Sequence, residues 1–164
     1  MTQKKTGWAW ALATCFGVGF LRPAPGTWGS VAGLLFWLAA AYWLHPSPVH
    51  LAQGTAVAAI LVLLTGIPAS AIVSREAATA DPSFVVADEV VGQWIALIAA
   101  GTRPWEWLLA FLLFRAFDIL KPPPARQFDR MHSGFGIMMD DVAAGIYAMA
   151  VVWLARLFST GWRL

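Results

Sequence analysis

Five carboxylates sit where an apolar chain can least easily hold them. Asp88 adjoins Glu89, Asp140 adjoins Asp141, and Asp118 is the lone acid of Leu108–Leu120. Each lies at or inside the end of an apolar helical segment. An ionisable group there is costly, and its default reading is functional. Adjacent hard oxygen donors suit a divalent cation. Lys121, Arg126 and Gly-rich turns nearby suit a phosphate, the lysine as a point charge and the arginine as a fork. The combination suggests a divalent cation holding a phosphate.

Asp88-Glu89 stands in VVADEVVGQW. Successive helical positions are about 100° apart, so one acid faces a bundle while the other faces its edge. Helix-start compensation explains one acid but explains a pair between apolar residues less well. Gln93 shares the face of Glu89. Gly92 shares that of Asp88 and admits a second backbone. Asp118 has Lys121 at i+3, a simple ion pair. Pro122-Pro123-Pro124 then reads as a stiff extended arm that holds Arg126 at a set distance from Lys121. Asp140-Asp141 is expected to open the last helix, with Gly145 one turn beyond Asp141. In PGTWGS, Thr27 is the expected N-cap of a helix whose free N–H groups favour an anion. Asp129, between Arg126 and Arg130, reads as a surface ion pair. Six residues separate Cys15 from Arg22, one too many for a cysteine-phosphatase loop. Cys15 therefore reads as a buried small hydrophobe, and His132 as a loop residue with no catalytic part.

The elements that position these groups are apolar. Of 164 residues 59% are hydrophobic and only 12% charged, about half the charge of a soluble domain. One membrane-embedded domain over residues 1–164 is expected. A net charge of +2 is too small to imply nucleic acid. A single cysteine excludes an intrachain disulfide and any Cys/His metal cluster. Trp8–Phe20 follows a basic start and is expected to be retained as an interfacial or re-entrant segment. Leu21–Ser30 reads as a turn, Val31–Leu44 as the first helix, and His45–His50 as a loop. Leu51–Val73 is the cleanest span. Val85–Ala100 and Trp105–Leu120 follow around a turn at Gly101–Pro104. Ser133–Gly136 is a turn before a last helix over Met138–Phe158. The expected fold is all-α, with four to five short membrane helices.

Taken as five crossings, these segments leave Lys4, Lys5, Arg22, Arg75, Arg115, Lys121, Arg126 and Arg130 on one side. Arg103, Arg156 and Arg163 fall on the other. The first side is then cytoplasmic, and it holds every acid except Glu106. A re-entrant third and fourth helix would leave this orientation unchanged.

Four ordered segments resemble the phosphatidylglycerophosphatase A family: GVGFLRPAPGTWGS, VVADEVVGQW, FRAFDILKPPPARQFD and GFGIMMDDVAAGIY. The resemblance runs from Gly17 to Tyr147. It implies a magnesium-dependent enzyme of the bacterial inner membrane that hydrolyses phosphatidylglycerol phosphate to phosphatidylglycerol and inorganic phosphate. On that reading Asp88, Glu89, Asp118, Asp140 and Asp141 share Mg²⁺ ligation, and Asp88, Glu89, Asp118 and Asp141 carry catalysis. Lys121, Arg126, Thr27 and Ser30 bind the substrate. Five acids imply two ions, or ligands mixed with outer partners and a base. Cysteine, DxDx[TV] and KxxxxxxRP signatures are absent, which favours attack by metal-activated water, with an aspartyl-phosphate still open. A CDP-alcohol phosphatidyltransferase is the alternative enzyme, although Asp118 and Arg126 are spaced differently from its motif. A small cation transporter or a scaffold is the non-enzymatic alternative. Oligomeric state has no signature in the sequence.

Overall fold

The computed structural model describes residues 5–161, with side chains to Ser159. Lys4 and Arg163, counted in the charge asymmetry, lie outside that range. The described chain is all-α, as expected. Its helices are α1 (Gly7–Ala13), α2 (Pro25–Leu44), α3 (Pro48–Glu76), α4 (Ala87–Ile98), α5 (Pro104–Leu120), α6 (Ala125–Asp129) and α7 (Gly134–Gly161), with a 3-10 turn at Val18–Phe20.

Three helices, α2, α3 and α7, are long and apolar enough to cross a membrane. At 12 and 17 residues, α4 and α5 fall short of the roughly 20 that a span needs. The five expected crossings thus become three long helices and a short pair. The short α4 is the centre of the bundle. It packs against α2, α3, α5 and α7, and most of its side chains are buried. The site grows from the first turn of this enclosed helix.

Several helices begin earlier than the sequence reading placed them. Proline costs nothing at a first helical position, where its missing N–H has no partner to lose. Pro25 and Pro48 therefore start α2 and α3 rather than end turns. The turn expected over Leu21–Ser30 shrinks accordingly. The N-cap of α2 is Ala24, and Thr27 lies inside the first turn. Likewise α7 starts at Gly134, so Asp140 and Asp141 sit almost two turns inside it rather than at its opening. A Cβ on Gly134 would overlap the Ile67 carbonyl and lie 2.6 Å from the Ala71 nitrogen. Glycine there lets α7 begin flush against α3.

The proline arm is also different. Lys121 closes α5 in the left-handed region at φ 45°, its N–H bonded to the Phe117 carbonyl at 2.8 Å. That residue reverses the chain. Pro124 is already helical, at φ −90° and ψ −1°, as the N-cap of α6, and the Tyr147 hydroxyl donates to the Pro123 carbonyl. The arm is a compact turn, not an extended strut.

The N-terminal segment folds into α1 and the 3-10 turn. The Glu76 carboxylate, at the end of α3, accepts from Thr6 N–H at 3.0 Å, Thr6 Oγ1 at 2.6 Å and Trp10 Nε1 at 2.6 Å. Val86 N–H then donates to the Ala13 carbonyl at 2.8 Å. The end of α1 thereby secures the start of α4. Cys15 is half-buried beside α1 rather than fully buried.

Candidate active site

Two glycines decide how the acids meet. A Cβ on Gly92 would strike the Phe114 ring and approach the Asp141 carbonyl oxygen to 2.7 Å, and one on Gly145 would lie 2.5 Å from the Gly92 carbonyl. Backbones of α4 and α7 thus touch at this crossing. Asp88 precedes Gly92 by one turn and Asp141 precedes Gly145 by one turn, so the two carboxylates are set side by side. Glu89, next on α4, completes the group. Oxygens of Asp88, Glu89 and Asp141 all lie within 4.8 Å of one another.

These three acids line one cleft with Asp81, Asp118, Asp129 and Asp140. The cleft encloses about 280 Å³. Seven of the chain's nine acids are here. The cations in its wall are Arg115 and Lys121, and His132 also faces it. On one side the wall is Ala24–Thr27, the start of α2. No side chain caps that helix, so its first N–H groups lie beside the cleft without a capping partner, at the end of the helix whose dipole favours an anion.

Asp118 and Asp140 behave differently from the other three. Asp118 meets Arg115 at 2.8 Å and lies 3.9 Å from Lys121 Nζ. Asp140 is paired with Lys121 and accepts the N–H of Asp141 at 3.0 Å. The five acids expected to share a metal therefore split. Three converge on one point, and two are held by cations. Asp129 is also no surface pair with Arg126 or Arg130; it reaches Lys121 at 2.9 Å. Burial alone would lower the Lys121 pKa, but the carboxylates of Asp140 and Asp129 outweigh it and hold the ammonium above its usual range. A left-handed lysine costs about 1–2 kcal/mol relative to glycine. Its placement at the meeting of three acids accounts for that cost.

The substrate-binding residues inferred from the sequence divide too. Thr27 and Lys121 line the cleft. Ser30 is fully buried, donates to the Gly26 carbonyl at 3.0 Å and accepts from Arg115 at 3.3 Å. It steadies the guanidinium rather than facing a ligand. Arg126 is exposed on α6 and is absent from the cleft wall. The second cation at the site is Arg115. Its signal was available in FRAFD, where arginine precedes Asp118 by three residues on a helix. Asp81 carried no such signal: it stands in a polar loop and reaches the cleft only through the fold.

The family model for phosphatidylglycerophosphatase A matches residues 11–156. The chain belongs to that family. It is 43% identical over 143 residues to the phosphatidylglycerophosphatase A of Haemophilus influenzae, covering 86% of this chain and 84% of the relative. It is 35% identical over 144 residues to that of Escherichia coli K12, covering 87% and 80%. A relative from Bacteroides thetaiotaomicron, named a putative phosphatidylinositol-3-phosphatase, is 41% identical over 149 residues, covering 88% and 91%. No solved structure matches the chain. The chain is a phosphatase of this family, and its apolar helices make it a membrane protein. Neither the transferase nor the transporter alternative stands.

Proposed function

We propose that the chain hydrolyses phosphatidylglycerol phosphate to phosphatidylglycerol and inorganic phosphate, with Mg²⁺, on the cytoplasmic face of a bacterial inner membrane. The observation that carries this is the convergence of Asp88, Glu89 and Asp141 beside the α2 N-terminus, Arg115 and Lys121. Seven carboxylates share the cleft with two fixed cations, and burial pushes the Glu89 carboxyl up to about 8, so the cluster needs protons or a bound cation to offset its charge. An anionic phosphate is best admitted with such a cation in place. Asp88, Glu89 and Asp141 each turn a carboxylate oxygen to one point, within 4.8 Å of one another. The donor set thus fits a hard divalent cation. Asp88, Glu89 and Asp141 would hold it, and when bound it would supply charge neutralisation and an acidified water.

The chain's own groups do the rest. The N–H groups of Gly26 and Thr27, the Thr27 hydroxyl and Arg115 bind the phosphoryl oxygens and take up charge as it builds. Lys121, fixed by Asp129 and Asp140, directs its ammonium at the same space. A carboxylate of the cluster receives the proton of the attacking water. Water oxygen bonds to phosphorus as the bond to the glycerol oxygen breaks, and the carboxyl that took the water's proton gives it to that oxygen as it leaves. The lipid tails remain among the exposed apolar faces of α2, α3 and α7.

The name of the Bacteroides relative raises a different head group, phosphatidylinositol 3-phosphate. Purified protein in lipid nanodiscs, given each lipid phosphate with Mg²⁺ or with chelator, separates the readings. Phosphate released from phosphatidylglycerol phosphate and only with the metal is expected. Preference for the inositol lipid, or full turnover in chelator, would overturn the substrate or the metal assignment respectively.

A further inference from the structure

Gln93 is fully buried, yet neither its Oε1 nor its Nε2 has a hydrogen-bond partner. Among the described residues it shares that condition with one other side-chain atom, Oε2 of Glu89. The two residues are one helical turn apart on α4, where side chains at i and i+4 are neighbours. Both lie against α2. A Cβ on Gly29 would sit 3.3 Å from that of Glu89, and one on Gly33 would sit 3.6 Å from that of Gln93. The glycines of α2 let its backbone lie close along this face of α4. An unpaired carboxamide is costly in an apolar bundle, out of reach of bulk water, and a single enclosed water is the partner such buried groups take.

Resting on the proposed metal-dependent site, we infer that Gln93 is a positioning residue that fixes Glu89. Its Nε2 donates to Glu89 Oε2 through one enclosed water, and leaves the other carboxylate oxygen turned toward Asp88 and Asp141. Gln93 itself touches neither substrate nor metal. A carboxylate without this tether swings between rotamers, and the three-acid cluster is assembled only part of the time. Outer partners of this kind commonly account for about 10–100-fold in activity or ligand affinity.

Gln93→Met keeps length and removes the polar atoms, and Gln93→Leu does so with a stiffer side chain. Full-length variants would be assayed for kcat, KM and melting temperature. The expected result is a kcat lower by about 10–100-fold, KM within about twofold and a melting temperature equal to or above wild type. A purely structural glutamine gives a different pattern. If both variants melt lower and lose activity in step, Gln93 is a packing element and the inference is wrong. Wild-type kcat in Gln93→Met overturns it equally. Glu89→Gln, run alongside, keeps the two claims apart. If Glu89→Gln is active, the site reading fails; if it is inactive while Gln93→Met is fully active, only the tether fails.

Discussion

The bundle buries acids at two ends and treats them in opposite ways. At one end Glu106 is only 3% exposed. Arg156 meets it at 3.3 Å and also donates to the Ala99 carbonyl at 2.5 Å. Gly101 makes the room, since a Cβ there would overlap Glu106 and lie 3.3 Å from the Arg156 guanidinium. The charge is met where it is buried. At the other end Asp88, Glu89 and Asp141 are packed together, while Arg115 and Lys121 are taken up by Asp118, Asp129 and Asp140. The same residue type is structural where its charge is balanced and chemical where it is left in surplus. Burial by itself does not distinguish the two.

The sharpest break of this contrast is to remove the surplus. Asp88→Asn and Asp141→Asn keep shape and delete one charge each. Phosphate release should fall by at least about a hundredfold. Melting temperature should hold or rise, because like-charge repulsion between buried neighbours is relieved. Loss of activity that merely follows loss of fold would place these acids in the same class as Glu106.

Metal removal probes the surplus from the other direction. Chelator should abolish turnover and added Mg²⁺ should restore it, with a matching rise in melting temperature, since a ligand that binds only the folded state stabilises it. Cys15→Ser should leave both readings at wild type, because Cys15 is half-buried beside α1 and is not in the cleft wall.

Arg115 and Arg126 sharpen the comparison on the cationic side. Arg115→Met should lower kcat/KM by about 10–100-fold, the scale of losing one charge-stabilising donor. Arg126→Lys should be within about twofold, since exposed single charges contribute little. The reverse ranking, read from steady-state kinetics, would restore Arg126 to the phosphate site.

This pair also shows what the sequence made legible. The acids, the all-α fold and Lys121 were readable because membrane cost makes a buried charge conspicuous. The glycine crossings were half readable: Gly92 and Gly145 stand one turn beyond Asp88 and Asp141, but that they touch each other is a tertiary fact. Three successive prolines suggest a strut, and a strut favours Arg126 over Arg115. The left-handed Lys121 turns the chain instead, and it sends Arg126 outward. Pro25 reads as a breaker in the sequence, which makes Thr27 look like a cap, but it is the first residue of α2. In the partition of five acids into three and two, the Arg115–Asp118 pair is a local i,i+3 pattern, but the reach of Lys121 to Asp140 is a tertiary fact.

The smallest effect on turnover is expected at Glu106, and it carries the comparison furthest. Glu106→Gln keeps a hydrogen-bonding side chain in the same volume but removes the charge that meets Arg156. A hydrogen bond to a charged partner contributes about 1.5–3 kcal/mol. Arg156 is 37% exposed and has the Ala99 carbonyl as a second partner, so solvent and that carbonyl recover part of the loss. The melting temperature should therefore fall by a few degrees, while kcat and KM stay within about twofold of wild type. Asp88→Asn should do the reverse, losing turnover while keeping its melting temperature. A double dissociation of this kind, measured on the same preparations, would establish that the two ends divide stability from chemistry. Equal damage to turnover by Glu106→Gln would mean that the far end is coupled to the cleft through α5, and the division would have to be abandoned.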